Sequence, residues 1–483
     1  MLGVFWRLYQ RPLSWGRWGV RTFLVAVVGG AAFFQLGVVS DPMRIYGKDN
    51  WAKHWRPAAD LPERDFLREN YLLDFTGQEG IKETDLWGDR IGSSMTAGGN
   101  WLIVGANRDS RRSAPLHGWA YAFRFSEEAD EGRGRWLRNH DIPPPGQNGG
   151  GQFGRAMKLR GPELVIEESR GKLKHVPCAI GQVHFFELRE GKWTHRDTLK
   201  PPPVPDWTIP EHRSNLRERA FGTSFSWDGS RIFVNAPDEW NGPTRQRGAW
   251  YFYERGDAGN WILRQRGPAE IPRSKKIHVG GIGPMAGNLA TWFCRNSDVD
   301  SAIRPKLMRW EEPSGQWRLL DPENDPKKIP LRAPPLKSKA PLILLGVHPH
   351  IFWTTEAEQG WLRWDPQLPE GDWTRISVMD SNPRFGILCL LSSPLEVLVL
   401  FFPAQDKGLS PRPLLLKPRQ LWSPPIATLA DNGDIFIGDI QQEQTYQLPG
   451  QISVFRRTSI VAKLASTQAT VESKTILPRP TRQ

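Results

Sequence analysis

The sequence predicts an all-β fold that consists of about seven copies of a four-stranded repeat. Three observations predict it: an unusual composition, motifs that recur in one order, and turn sequences between short apolar segments. The 483 residues include 23 Trp, 22 Phe, 46 Gly and 42 Pro. Because aromatic residues suit strands and Gly and Pro mark turns, this composition favours many short strands.

The first complete repeat supplies the motifs by which the others are recognised. It begins at Trp87-Gly88 and continues with an apolar strand over Trp101–Ala106. Gly118 then precedes an alternating aromatic strand over residues 119–123, and Gly134-Arg135-Trp136 begins the last strand. The inner strands are continuous apolar runs, which is typical of strands whose two faces are both covered.

The same order returns along the chain, first with good fidelity and then in eroded form. Phe153-Gly154 and Phe221-Gly222 begin two repeats that contain all of the motifs. Four later copies are recognised by fewer segments, namely Leu289–Phe293 with Leu307–Trp310 and Gly315–Trp317, Ile351–Trp353 with Gly360–Trp364 and Gly371–Trp373, Phe385-Gly386 with Val397–Leu400 and Leu414–Leu416, and Ile435–Gly438 with Gly450–Phe455.

These repeats predict a seven-bladed β-propeller over residues 67–457. A four-stranded unit is too small to bury its own faces, and stacking such units around an axis buries them against their neighbours. The last copy lacks an outer strand, and we expect residues 71–75 to supply it, which would close the ring and protect the sheet edges. The tail 458–483 is predicted to be disordered, with a short helix over residues 460–465 as the alternative.

The motifs resemble the FG-GAP repeat of the integrin alpha-chain propeller. The shared features are the Phe-Gly pair, a strand that ends in Gly-Ala or Asn-Ala-Pro, the Gly before an aromatic strand, and the final Gly-x-Trp. The resemblance covers residues 85–265 closely and 275–455 loosely, and it implies a seven-bladed propeller. Many members bind calcium through an acidic loop, but the corresponding turns at 97–100, 227–230 and 431–434 are short and poor in carboxylates. Calcium binding is therefore not implied.

An apolar segment near the N-terminus predicts a membrane anchor. Residues 23–39 would form a helix of about 26 Å, close to the ~30 Å hydrocarbon core of a bilayer. Four arginines precede this segment and Asp41 follows it, so we expect the N-terminus inside and the rest outside. The predicted order is a basic cytoplasmic segment (1–21), a transmembrane helix (22–40) and a linker (41–66). A signal peptide cleaved near Ser40, followed by secretion, is the alternative.

The net charge of +12 does not indicate nucleic-acid binding. Much of the excess basic charge lies in residues 1–21 and 456–483, whereas a nucleic-acid-binding face should lie in the folded part. Three cysteines, Cys178, Cys294 and Cys389, lack the close spacing of a metal or redox site. We expect them to be small buried residues, two of them in strands.

No motif predicts catalytic, cofactor-binding or metal-binding residues, and no cofactor is predicted. The segment Ser226–Ser230 faintly resembles the Asp-box turn of sialidases, but an Asp-Gly hairpin turn explains it. His348-Pro349-His350 lacks a third metal ligand. The run Gly146–Gly151 lacks the Lys-Ser/Thr of a phosphate loop.

We therefore expect a non-catalytic scaffold that is anchored in the cytoplasmic membrane and exposed to the periplasm or the exterior. Its partners would be proteins at the membrane surface, in a complex of which it is an accessory subunit, and the lipid bilayer around its N-terminal helix. The alternative is a propeller enzyme or ligand-binding protein that acts on carbohydrate or a cofactor in the central funnel. The alternative requires polar side chains from several repeats to converge on the axis, whereas the scaffold requires an exposed apolar patch on one rim.

Overall fold

The computed structural model describes most of the predicted repeat region. The described residues are 67–75, 91–107, 118–145, 151–170, 181–203, 221–240, 247–267, 277–296, 300–320, 342–347, 350–355, 362–364, 375–382, 386–392, 397–402, 412–417, 426–439 and 451–463. In this part of the chain no helix is long and apolar enough to cross a membrane. The predicted anchor at 22–40 lies outside the described residues.

The described residues form 28 strands and one short helix, α1, over residues 457–463. Two short strands come first, β1 (Leu67–Arg68) and β2 (Tyr71–Leu72). Repeat 1 contains β3 (Ile91–Gly98), β4 (Trp101–Ala106), β5 (Trp119–Ser126) and β6 (Arg135–Ile142). Repeat 2 contains β7 (Gly151–Arg160), β8 (Glu163–Arg170), β9 (Gln182–Arg189) and β10 (Lys192–Leu199).

The following repeats have the same order of strands. Repeat 3 contains β11 (Phe225–Trp227), β12 (Arg231–Trp240), β13 (Arg247–Arg255) and β14 (Trp261–Gly267), and repeat 4 contains β15 (Ile277–Ala286), β16 (Leu289–Asn296), β17 (Asp300–Glu311) and β18 (Gln316–Leu319). Repeat 5 contains β19 (Leu342–Val347), β20 (His350–Thr355) and β21 (Leu362–Trp364). Repeat 6 contains β22 (Arg375–Asn382), β23 (Gly386–Ser392), β24 (Val397–Phe402) and β25 (Arg412–Lys417), and repeat 7 contains β26 (Ile426–Leu429), β27 (Ile435–Asp439) and β28 (Gln451–Phe455).

Each repeat is an antiparallel sheet in which consecutive strands pair. The first strand of every repeat contacts the first strand of the next one, in the order β3, β7, β11, β15, β19, β22 and β26, and β26 contacts β3. These seven first strands therefore form a closed cycle and lie nearest to its axis. The described part of the chain is an all-β protein with the architecture of a β-propeller, as predicted.

Residues 67–75 close the cycle. Strand β2 pairs antiparallel with β28 of repeat 7, with Tyr71 opposite Val454, and β1 pairs parallel with β25 of repeat 6. The ring of Phe75 then packs against Tyr121 of repeat 1, with a centroid distance of 5.5 Å. One segment thus contacts three repeats, and the predicted pairing of residues 71–75 with the last repeat is confirmed.

The glycines of the repeat motif allow successive repeats to approach closely. Gly154 has a φ of +85°. A Cβ atom added to Gly105 of repeat 1 would lie 2.0 Å from the carbonyl oxygen of Gly154. A Cβ atom added to Gly118 would likewise lie 2.3 Å from the carbonyl oxygen of Phe153. Only glycine fits such backbone contacts.

The described part of repeat 1 begins at Ile91. Ile91 pairs with Ala106 as Phe153 pairs with Glu168 in repeat 2, and the φ of Gly92 is +83°. The position of the Phe-Gly pair is therefore occupied by Ile91-Gly92. Trp87-Gly88, the predicted start of this repeat, lies outside the described residues.

The Trp of the fourth strand covers the boundary with the preceding repeat, as expected. Trp193 is buried against Trp101 of repeat 1, with the ring centroids 5.8 Å apart. Its backbone N–H donates to Nε2 of His140 in repeat 1 at 3.0 Å. Equivalent bonds run from Trp136 N to Tyr71 Oη (3.1 Å) and from Trp317 N to Gln265 Oε1 (2.7 Å).

Two further predictions need correction, and one is confirmed. Repeat 6 begins with β22, so Gly386 starts its second strand and the pair Phe385-Gly386 is not a repeat start. The tail that was predicted to be disordered begins with the helix α1. Ile460 of this helix is buried against Leu414 and Phe455, which form an apolar surface of repeats 6 and 7. Cys294 and Cys389 lie in strands as predicted.

Candidate functional site

Three successive repeats carry polar side chains at one equivalent position. It is formed by a third-strand residue and the fourth-strand residue opposite it, and the pairs are Tyr121 with Asp141, His184 with Thr198, and Tyr251 with Arg266. An aromatic ring packs on each third-strand side chain, namely Phe75, Phe153 and Phe221, at centroid distances of 5.5, 5.8 and 5.6 Å. The three sites differ in the polar groups that they hold.

The repeat 2 cluster consists of Glu168, His184, Thr198 and His195. His184 Nε2 lies 2.8 Å from Glu168 Oε2, and its Nδ1 lies 3.0 Å from Thr198 Oγ1. His195 Nε2 lies 2.9 Å from the same hydroxyl oxygen. The cluster thus places a hydroxyl, an imidazole and a carboxyl group in one line of hydrogen bonds, which is the arrangement of an activated nucleophile.

The directions of these hydrogen bonds follow from the groups. The carboxylate of Glu168 only accepts, so His184 donates from Nε2 and is left with an acceptor at Nδ1 when it is neutral. Thr198 then donates its hydroxyl proton to His184 Nδ1. The remaining lone pairs of the hydroxyl accept the Nε2 proton of His195. The tautomers are thereby assigned along the whole chain.

Burial decreases along the cluster toward the nucleophile. Glu168 is 5% exposed and His184 is 1% exposed, whereas Thr198 is half-buried and His195 is exposed. Phe153 and Phe186 surround the imidazoles, with centroid distances of 5.8 Å to His184 and 5.5 Å to His195. The base and the carboxylate are therefore kept from water, while the hydroxyl group lies at the solvent side.

The environment favours the neutral form of His195. Partial burial lowers its pKa, and the neighbouring His184 lowers it further, while Asp197 acts in the opposite direction. A neutral imidazole still donates one N–H hydrogen bond, so His195 can orient the hydroxyl group of Thr198.

The equivalent sites in repeats 1 and 3 instead hold ion pairs between an arginine and a carboxylate. In repeat 3, Arg266 Nη2 lies 2.6 Å from Glu239 Oε1, and Tyr251 donates its hydroxyl proton to the same carboxylate. Burial raises the pKa of Tyr251, and Glu239 raises it further. In repeat 1, Arg138 pairs with Asp141 at 2.6 Å. Neither set contains a serine or threonine hydroxyl group beside an imidazole, so neither matches the repeat 2 cluster.

The turns that align with calcium loops are hairpin turns, as predicted, and their acidic residues serve the fold. Asp228 accepts from the backbone N–H of Arg231 at 2.8 Å. Asp434 accepts from Trp136 Nε1 at 2.9 Å and from Arg457 N at 3.0 Å, and so joins repeat 7 to repeat 1 and α1. Within the described ranges, no group of three His, Cys, Asp or Glu residues could hold a metal ion.

The other sequence candidates give no site. Ser226–Ser230 includes the hairpin turn between β11 and β12, which agrees with the turn interpretation. His348, Pro349 and the glycine-rich residues 146–150 lie outside the described residues.

The repeat 2 cluster was missed, although the sequence contains a signal for it. Glu167-Glu168 stands where repeats 1 and 3 have Gly105-Ala106 and Asn235-Ala236. His184 likewise replaces a tyrosine of the aromatic strand. Comparing the repeats for departures from their own pattern, rather than for known motifs, would have singled out both residues.

Comparisons with known proteins reach only solved structures of low similarity. No family model and no curated protein matches the chain. A periplasmic gluconolactonase from Pseudomonas aeruginosa shows 14% identity and a TM-score of 0.35, and the match covers 70% of this chain and 92% of that one. A GH93 alpha-L-arabinofuranosidase from Fusarium graminearum, in complex with arabinobiose, shows 9% identity and a TM-score of 0.36 over 74% and 90% of the two chains.

Both of these structures are named as enzymes, which is contrary to two expectations from the sequence. The chain was expected to be a non-catalytic scaffold for protein partners, and it was expected not to be an enzyme. No particular substrate is taken from structures at these TM-scores, so the reaction must be argued from the side chains of this chain.

Proposed function

We propose that the chain is a seven-bladed β-propeller hydrolase, with degenerate FG-GAP-like repeats, that cleaves an ester bond in a carbohydrate derivative such as a sugar lactone. The observation that carries the proposal is the hydrogen-bonded chain Glu168–His184–Thr198–His195. A hydroxyl nucleophile with an oriented base is suited to acyl transfer. A lactone is a cyclic ester, so its hydrolysis is an acyl transfer to water.

The first half of the reaction forms an acyl-enzyme. Thr198 Oγ1 attacks the acyl carbon while its proton passes to His184 Nδ1, and the positive charge on the imidazole is stabilised by Glu168. As the bond between the acyl carbon and the leaving oxygen breaks, the leaving oxygen takes this proton from His184 Nδ1, so that imidazole is neutral again. His195 keeps its proton and orients the hydroxyl group, since its Nε2 lies 2.9 Å from Thr198 Oγ1.

The second half returns the enzyme to its starting state. A water molecule attacks the ester of Thr198 and gives its proton to Nδ1 of the neutral His184. The bond between Thr198 Oγ1 and the acyl carbon breaks, and Oγ1 recovers its proton from His184 Nδ1. The net reaction adds one water molecule across the ester bond.

The predicted anchor suggests where this activity is located. We include in the proposal that residues 22–40 span the cytoplasmic membrane and that the propeller lies on the outer side. The support is the apolar run and the preceding arginines of the sequence. Protease digestion of intact spheroplasts should degrade the propeller, and protection of the propeller would contradict this location.

The catalytic proposal is tested by removing one hydroxyl group. Gluconolactone is a soluble cyclic ester, and its hydrolysis is followed with a pH indicator after subtraction of the uncatalysed rate. We expect Thr198→Val to reduce kcat by at least about a hundredfold. The matched control is Thr194→Val, an exposed threonine on the same strand, which should keep the wild-type rate. Equal rates for both variants, or no wild-type activity on a panel of lactones and aryl esters, would refute the proposal.

A further inference from the structure

Three basic side chains lie on the one strand of repeat 2 that is nearest to the axis. Arg155, Lys158 and Arg160 of β7 are all exposed, whereas Phe153 and Leu159 of the same strand are buried between repeats 1 and 2. Lys158 and Arg160 are two residues apart and therefore share a face of the strand, about 7 Å from each other.

The described acidic residues close to this strand have other surroundings. On the neighbouring strand β8, Glu168 is bonded to His184, Glu167 is buried, and Glu163 accepts from Arg196 at 3.0 Å and from Arg255 at 2.9 Å. Asp228, in the adjacent turn of repeat 3, pairs with Arg231 at 2.8 Å.

Arg160 reaches that adjacent turn without an acidic partner there. A Cβ atom added to Gly229 would lie 3.6 Å from Arg160 Nη1, but the neighbouring Asp228 is already paired with Arg231. Among the residues that the structure describes, no carboxylate lies within ion-pair distance of the three basic groups of β7. None of the three is therefore neutralised by an ion pair with a described side chain.

The other first strands do not balance this charge. The sequences of β3, β11, β15, β19 and β26 contain no Asp, Glu, Lys or Arg. Strand β22 contains Arg375 and Asp380, whose charges sum to zero. The net charge of the seven strands around the axis therefore comes from β7. Charge of one sign between low-dielectric walls focuses the electrostatic field and raises the local concentration of counter-ions.

We propose that β7 forms a binding site for a small anion that carries phosphate or carboxylate groups, in which Arg155, Lys158 and Arg160 contact the ligand. A guanidinium group binds such groups through paired hydrogen bonds, and a lysine acts as a point charge. The spacing of Lys158 and Arg160 suits a compact anion with two or three charged groups. None of these three residues belongs to the repeat 2 cluster, and the proposal does not depend on the proposed hydrolase activity.

The test is calorimetric titration of the full-length protein in detergent with citrate and with inorganic phosphate at low salt. We expect the Kd for at least one of the two probes to rise about tenfold in Arg155→Gln and in Lys158→Gln, the loss of one charge-assisted contact. The matched control is Lys192→Gln, which removes an equal charge from an exposed position on the outer strand β10 and should leave the Kd unchanged.

Three results would overturn the proposal: no binding of either probe to the wild type, equal weakening in the control, or binding of double-stranded DNA through the same residues. The hydrolase proposal is tested separately, since Thr198→Val should keep the wild-type Kd for the anion. Arg155→Gln should likewise keep the wild-type rate of gluconolactone hydrolysis.

Discussion

Repeats 2 and 3 place different chemistry at the same position of the same sheet. In repeat 3 the position holds Tyr251 and Arg266 beside Glu239, and the ion pair of Arg266 with Glu239 is partly buried. In repeat 2 it holds His184 and Thr198 beside Glu168. The first set has no imidazole and no threonine hydroxyl group, whereas the second has both. Repeats 1 to 3 thus share polar pairing at this position, and among these three repeats only repeat 2 fills it with an imidazole beside a nucleophile.

The largest effect should come from breaking the ion pair of repeat 3. Glu239→Gln leaves the half-buried guanidinium of Arg266 without its charge partner, and we expect the free energy of unfolding to fall by about 3–5 kcal/mol. Glu168→Gln should cost less, about 1–3 kcal/mol, because His184 can stay neutral. Urea unfolding followed by tryptophan fluorescence measures both. Equal losses would show that the two sites are electrostatically alike.

The next effect concerns catalysis at repeat 2. In Glu168→Gln the imidazole of His184 is no longer stabilised when it becomes charged, so kcat for lactone hydrolysis should fall about a hundredfold with little change in KM. Glu239→Gln is the control, assayed at a temperature where it remains folded, and should keep the wild-type kcat. A similar loss in both variants would mean that the effect is structural.

A smaller effect should appear as a pH dependence of stability at the boundary between repeats 1 and 2. Burial lowers the pKa of His140 below the ordinary value of 6.5, and Lys192 also lowers it while Asp141 opposes. The unfolded chain then binds more protons, so stability is lost as the pH falls below about 6.5 toward the lower pKa of the folded state. The lowered pKa of His195 should change the stability with pH in the same direction.

Replacing His140 should remove part of this dependence. Gln265 accepts the equivalent N–H bond from Trp317 without a titratable group, so His140→Gln should flatten the stability profile between pH 5 and 7. Gln265→His should steepen it. Thermal unfolding at a series of pH values measures both variants, and unchanged profiles would show that the acceptor at this boundary does not titrate.

The smallest effect is expected at the closure of the ring. Tyr71→Phe removes the acceptor of the Trp136 N–H but keeps the aromatic side chain, and we expect the free energy of unfolding to fall by about 1 kcal/mol. Burial raises the pKa of Tyr71 to about 12, so the wild type also loses stability above pH 10, where the unfolded chain ionises. The variant should lose less between pH 10 and 12, and an identical alkaline loss would contradict this assignment.

The fold could be predicted because it depends on features that repeat. The glycines that permit close backbone contact, such as Gly118 and Gly154, and the Trp of each fourth strand recur at regular places. Closure by residues 71–75 followed from the missing strand of repeat 7. The Phe-Gly position of repeat 1, which Ile91-Gly92 occupies, could not be found by motif, because any apolar side chain can fill that position.

The candidate site could not be predicted for a related physical reason. Glu168, His184 and Thr198 come from three strands, and only the pairing register brings Thr198 opposite His184. No short spacing in the sequence shows this arrangement. The basic strand β7 was also missed, since its charge matters only when the first strands are known to surround one axis.

The central claim is that Thr198 is a nucleophile, and trapping its acyl-enzyme tests it most directly. The wild type is mixed with p-nitrophenyl acetate and quenched in acid, and its mass and peptides are measured. We expect a burst of about one p-nitrophenol per chain and an acetyl group on Thr198. Both should be absent in Thr198→Val and retained in Thr194→Val. Hydrolysis without a burst, or acetylation of another residue with Thr198 unmodified, would contradict it.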